Sequence, residues 1–366
     1  MKKAEDKRII GLDLLRVLSM MGIIGLHVIN NGGLIKNADI HSFSYYVVLA
    51  ILVLAFTSVN IFGILSGYLN VTKKQNKHER IIELLLIVLF YCLIIPSIFF
   101  GFNLFDVRNT SSIKEIIYDY FPILAGNYWY ITCYVFLFFM IPYINSFVNS
   151  LAKKTYKKLL ITLFVLLSIL PNILLTDLFR IQGGYSPFWL IYCYMIGGYL
   201  RIYDIDLPND KILKYSILIY FVSFALNGLV RNIGYSILGK VVRANLFINY
   251  ISPFTLVLSI LIFIYFTKVC VKNSCSKNII VYLSGASFSV YIIHDQRLVF
   301  YKVLKNLFKP LLQYNAIIVF VGIILSIVTI YVLCCIIDSV RKLLFKLLKI
   351  NKFIVFSGTK VDKILN

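Results

Sequence analysis

The sequence predicts an all-α fold: a polytopic integral membrane helical bundle of about ten transmembrane helices, with both termini cytoplasmic. Three observations carry this. Of 366 residues, 60% are hydrophobic and only 14% are charged, whereas a soluble domain carries about a quarter charged residues. The apolar residues gather in runs, and about 20 consecutive apolar residues suffice to cross a bilayer. Lys and Arg collect in alternate short connections, as cytoplasmic loops do. The net charge of +21 is thereby a topology signal. No aromatic-plus-basic soluble module accompanies it, so nucleic-acid binding is set aside.

The spans run 9–30, 44–69, 80–101, 127–148, 157–176, 186–203, 211–230, 246–269, 278–300 and 314–337. The sixth is short and holds Gly197 and Gly198; the ninth carries Ser and Gly. Lys73, Lys74, Lys77 and Arg80 mark the second connection as inside. Lys153, Lys154, Lys157 and Lys158 mark the fourth, and Lys268, Lys272 and Lys277 the eighth. Residues 338–366 form a basic cytoplasmic tail. One connection dissents. Residues 301–313 fall outside yet hold Lys302, Lys305 and Lys309, which fits either an anionic external partner or a misplaced span. The longest loop, 102–126, is outside and weakly charged. The apolar run after Lys2, Lys3, Lys7 and Arg8 is long for a signal peptide and contains Asp13 and Arg16.

The seven cysteines show no zinc spacing. They read as small apolar filler, and no metal is expected.

Charged residues inside a span are costly and face a bundle interior or a wet cavity. The first span carries Asp13, Arg16 and His27. Arg16 and His27 are eleven residues apart, close to three helical turns, so they share a stripe with a rise of roughly 16 Å. Asp13 lies three residues before Arg16, within ion-pair reach. Orientation places Asp13 and Arg16 near the inner side, level with Ser66, Gly67 and Glu83. His27 then lies in the outer half, with Trp129, Tyr130, His294, Asp295 and Arg297. Each has a plainer reading beside the functional one. Ser66-Gly67 suits close helix packing, Glu83 a boundary cation, Trp129-Tyr130 an aromatic belt, and the Asp13–Arg16 pair a purely structural bridge. His41 and His78 fall in loops.

Four stretches in order resemble the multi-pass membrane acyltransferases of the acyltransferase-3 type, which O-acylate cell-surface glycans. They are Gly11-Leu-Asp-Leu-Leu-Arg16 with His27 eleven residues on; Phe62-Gly-Ile-Leu-Ser66-Gly67-Tyr68-Leu69; Trp129-Tyr130 through Pro142 and Asn145; and Ser287-Phe-Ser-Val-Tyr291-Ile-Ile-His294. Arg, ten residues, His is the most specific. Asp295 stands where Pro is more usual after the histidine, which points to a subgroup and leaves the acceptor open. The resemblance implies an acyl-CoA co-substrate, usually acetyl-CoA, no permanently bound cofactor, and a sugar hydroxyl acceptor on an exopolysaccharide, cell-wall glycan or lipid-linked saccharide. It implies catalytic roles for His27 and Arg16. Asp13, Arg16, Ser66, Gly67 and Glu83 would stand on the acyl-donor side, and Trp129, Tyr130, His294, Asp295 and Arg297 on the acceptor side. His27 would act as general base or as acyl carrier. The rival expectations are a transporter or flippase of a lipid-linked saccharide and a glycan polymerase. Against them stand the absence of paired Gly/Pro-broken spans and the modest size of loop 102–126.

Overall fold

The computed structural model describes residues 8–73, 77–205 and 207–365. Lys2, Lys3, Lys7 and Lys74 lie outside the described residues, as does the end of the 338–366 tail. Among the described residues there are helices and no strand. Twelve helices of eight residues or more carry the fold. They are α1 Ile10–Asn30, α2 Phe43–Asn70, α3 His78–Gly101, α4 Ile113–Tyr120, α5 Trp129–Ser150, α6 Lys153–Leu174, α7 Pro187–Tyr203, α8 Asn209–Leu238, α9 Pro253–Thr267, α10 Ser274–His294, α11 Ala316–Leu347 and α12 Ile350–Leu365.

Seven of these, α1, α2, α3, α5, α6, α8 and α11, are long and apolar enough to cross a membrane. Three expected spans fall on helices that differ from that pattern. The sixth is α7, 17 residues long, in which Trp189, Cys193, Tyr194 and Gly197 are all buried among other helices. The eighth forms a helix only from Pro253 to Thr267, because residues 246–252 run through turns before Ser252 and Pro253 start it. The ninth is α10, whose polar residues Ser284, Ser287 and Ser289 are buried. It ends at His294, short of the expected residue 300; Val299–Leu304 then forms a separate wide turn. The described part of the tail from residue 338 is two helices joined by a turn at Leu348–Lys349: α11 runs ten residues past the expected span end, and α12 returns against the start of α3.

α1 is the central helix and packs against α2, α9, α10 and α11. Backbone approaches are closest where α2 crosses α7. A Cβ on Gly67 would sit 1.8 Å from the Tyr194 carbonyl oxygen, and one on Gly197 would sit 1.9 Å from that of Ile64. Only glycine lets two helix backbones meet this closely. Polar side chains then tie connections to helices. Asn60, fully buried, accepts from Trp189 Nε1 at 2.8 Å and donates to the Tyr250 carbonyl at 2.8 Å. Asn145 donates to the carbonyls of Asn70 and Lys73, both at 2.9 Å, and accepts from the Tyr194 hydroxyl. Within a bundle, each such bond replaces water that the site excludes.

The end of α1 is fixed by chain pairing. The amide of Asn306 donates to the Asn31 carbonyl, and that of Phe308 to the Gly32 carbonyl. The 301–313 connection therefore lies at the same end of the bundle as the turn after α1.

Candidate functional site

α1 borders a cavity of about 1270 Å³ that extends along its length. Arg8, Asp13, Arg16, Ser66, Arg80 and Glu83 line one end. His27, Asn31, Trp129, Tyr130, Asp295 and Phe300 line the other. The stripe Asp13–Arg16–His27 faces this space, not the surroundings. Charged and imidazole groups on a central helix are thereby given a polar, wettable environment.

At the first end Asp13 is the organising group. It is 5% exposed. Its carboxylate accepts two hydrogen bonds from Arg8, through Nε and through Nη2, the latter at 3.0 Å. Arg16 Nη1 reaches the same carboxylate at 3.3 Å and the Ser284 hydroxyl at 2.9 Å. Ser284 in turn donates to Asp13 at 2.9 Å. Two guanidinium groups and one hydroxyl saturate a single carboxylate, so the site keeps a net positive charge. The Asp13 carboxylate raises the affinity of Arg8 for its proton. Arg80 and Arg201 line the cavity at this end as well, and the Arg201 guanidinium lies over the Tyr68 ring at 5.3 Å. Such a cluster of forked cations suits polyanionic phosphate.

At the second end the groups are held but not saturated. His27 Nδ1 is 3.8 Å from Asp295 Oδ1, too far for a hydrogen bond, and Nδ1 has no other partner among the described residues. The His27 ring lies 5.0 Å from the ring of His294 and edge-on to Phe300 at 5.1 Å. His294 Nδ1 faces the Val290 carbonyl one helical turn back. A carbonyl only accepts, so that nitrogen carries the proton and Nε2 is left as a bare acceptor. Nε2 is buried without a hydrogen-bond partner among the described residues. Tyr128 donates its hydroxyl to the Ile292 carbonyl at 2.7 Å, which fixes the start of α5 against the end of α10. The aromatic rings of Trp129, Tyr130, Tyr185, Tyr250 and Tyr291 complete the wall.

The expected residues thus divide. Asp13, Arg16, Ser66, Glu83, His27, Trp129, Tyr130 and Asp295 line the cavity, and the Ser66 hydroxyl is buried without a partner. Three do not line it. Gly67 serves the α2–α7 crossing. His294 stands behind His27. Arg297 turns away and donates to Asp119 at 2.8 Å, where burial pushes the Asp119 carboxyl up and Arg297 opposes that rise. Missing from the sequence reading of the site were Arg8, Arg80 and Arg201, because basic residues at span ends carry the topology signal and nothing in the pattern separates the two roles. Tyr185, Tyr250 and Phe300 were missed because aromatic residues are abundant throughout, with 26 Tyr and 29 Phe.

The chain matches the family model described as an acyltransferase domain, of the acyltransferase-3 type, over residues 9–337. It belongs to that family and is a membrane protein of the acyltransferase class. No curated protein and no solved structure matches it.

Proposed function

We propose that the protein transfers an acyl group, acetyl in the simplest case, from acyl-CoA to a sugar hydroxyl of a cell-surface or exported glycan. The observation that carries this reading is the cavity joining an arginine cluster organised on Asp13 to an unsaturated His27–Asp295 pair. A CoA thioester has phosphates at one end and its reacting carbonyl at the end of a long flexible arm. Arg8, Arg16, Arg80 and Arg201 would hold the phosphates, and the arm would run along α1. His27 lies roughly 16 Å further along the helix, where the acyl carbonyl would arrive.

His27 is then the general base. With Nδ1–H turned to Asp295, its Nε2 lone pair accepts the proton of the acceptor hydroxyl as the oxygen attacks the thioester carbonyl. The C–S bond breaks, and the leaving thiolate takes up a proton. Drawing His27 onto Asp295 needs a shift of about 1 Å, a looseness common to catalytic hydrogen bonds before substrate binds. The ring walls at this end suit the apolar faces of a sugar. The arginine end would be cytoplasmic and the plasma membrane the site of action. Ten spans and inside termini belong to the same reading, with α7, α9 and α10 as the spans sheltered by the others.

The test is purified protein in nanodiscs with acyl-labelled acetyl-CoA and a panel of lipid-linked and polymeric glycans. Label on glycan, lost in His27→Ala, is the expected result. Release of free labelled acetate alone, or movement of unmodified saccharide across the bilayer without label, would assign the cavity to hydrolysis or to transport.

A further inference from the structure

The connection between α3 and α5 carries its polarity inverted. α4 is amphipathic, and its Asp119, on one flank, is 2% exposed and paired with Arg297. The Asp119 backbone carbonyl also accepts from the fully buried Gln296 side chain at 3.0 Å. Ile113 and Ile117 lie on the other flank, 79% and 47% exposed, and Phe121 and Leu124 follow at 53% and 68%. A helix packed in water turns its apolar flank inward and its carboxylates outward. Here one of the two carboxylates, Asp119, is latched to the bundle and the isoleucines face away, while Lys114 and Glu115 are exposed.

The apolar surface also continues into one already assigned to lipid. Leu93, Ile94 and Ile98 on the outer face of spanning helix α3 are exposed. The band passes through Phe102 and Phe105, 78% and 55% exposed, to α4. Arg108 seals the end of α3 by donating to the carbonyls of Phe100 and Gly101, so the chain leaves the helix without losing its backbone bonds to solvent.

We infer that residues 102–124 are a bilayer-seated element, not a solvent loop: α4 lies in the lipid interface on its Ile113–Ile117 side, and the Asp119–Arg297 pair is the latch that holds it to the bundle. The occupant of this face is phospholipid. Interfacial helices show this same division into one polar and one apolar side. The stretch that follows directly, Gly126, Asn127 and Tyr128, lines the His27 end of the cavity. The wall of that end is therefore continuous with lipid. The inference needs only that α3 spans a membrane, and it stands whatever reaction the cavity performs.

Fluorescence in nanodiscs tests it. Ile117→Trp is compared with the parent protein, whose Trp129 and Trp189 set the background. The added emission should lose most of its intensity when the lipid is dibrominated phosphatidylcholine and little when iodide is added to the buffer. Quenching by iodide without quenching by lipid, or by neither, overturns the inference. If Ile117→Trp fails to fold, Ile113→Trp reads the same face. Adding Asp119→Ala should reverse the pattern toward iodide. Unchanged lipid quenching in that double variant would remove Asp119–Arg297 as the latch.

Discussion

Asp13 and His27 sit on the same face of the same helix, yet their surroundings are opposite in kind. Asp13 is met by Arg8, Arg16 and Ser284, and both oxygens of its carboxylate accept hydrogen bonds. His27 is met by a carboxylate 3.8 Å away and by a second imidazole whose free nitrogen has no partner. A saturated ion cluster inside a bundle is stiff, and breaking it strands a charge. Its chemistry is to hold. A buried imidazole with open valences is costly at rest and gains its missing bonds only when another molecule supplies them. Under the proposed function, the first end would bind and the second would react.

Four substitutions probe that separation, in order of expected size. His27→Ala removes the proton acceptor and should lower acyl transfer about 10²- to 10⁴-fold while thermal unfolding in detergent stays near the parent value. Transfer at the parent rate would move the reaction away from this end. Arg16→Lys keeps the charge but loses the Nη1 group that bridges Asp13 and Ser284 and the planar guanidinium beside it. We expect roughly a 10- to 100-fold loss, the size of one charged hydrogen bond, expressed as a higher KM for acyl-CoA; a drop in kcat alone would place Arg16 among the reacting groups. Asp295→Asn should act the other way, lowering kcat on the order of tenfold with little change in KM, because it only orients His27. An equal effect on both constants would make Asp295 part of acceptor binding. Ser284→Ala is the mildest. Losing one neutral hydroxyl between two charged partners costs about 1 kcal/mol, read as a KM rise of several-fold that Ser284→Thr restores. No change would show that Arg8 and Asp13 suffice to place Arg16.

Much of this was readable in the chain. The helical class follows from apolar runs in which charge is rare, and Arg16 and His27 follow from helical spacing within one such run. That His27 meets the end of α10 could be read too, since successive spans run in alternating directions. What could not be read was the direction of individual side chains. Ser66 and Gly67 are neighbours; one lines the cavity and the other holds α2 against α7. Asp295 and Arg297 are two residues apart; one faces His27 and the other latches α4. Adjacent residues on a helix point about 100° apart, which relates Ser66 to Gly67 but not to the cavity, and Asp295 and Arg297 lie beyond the end of α10, where no helical periodicity relates them.

The sequence by itself determined that the protein is a membrane-embedded helical bundle with a polar stripe on its first helix, because bilayer thickness and helix pitch leave a hydrophobic run few alternatives. Only the tertiary structure decided which cations saturate Asp13, that His294 stands behind His27, and that Asp119 pairs with Arg297 over 178 positions. Those contacts depend on how separate helices pack, and packing is set by shape complementarity among many segments at once, which no local pattern encodes.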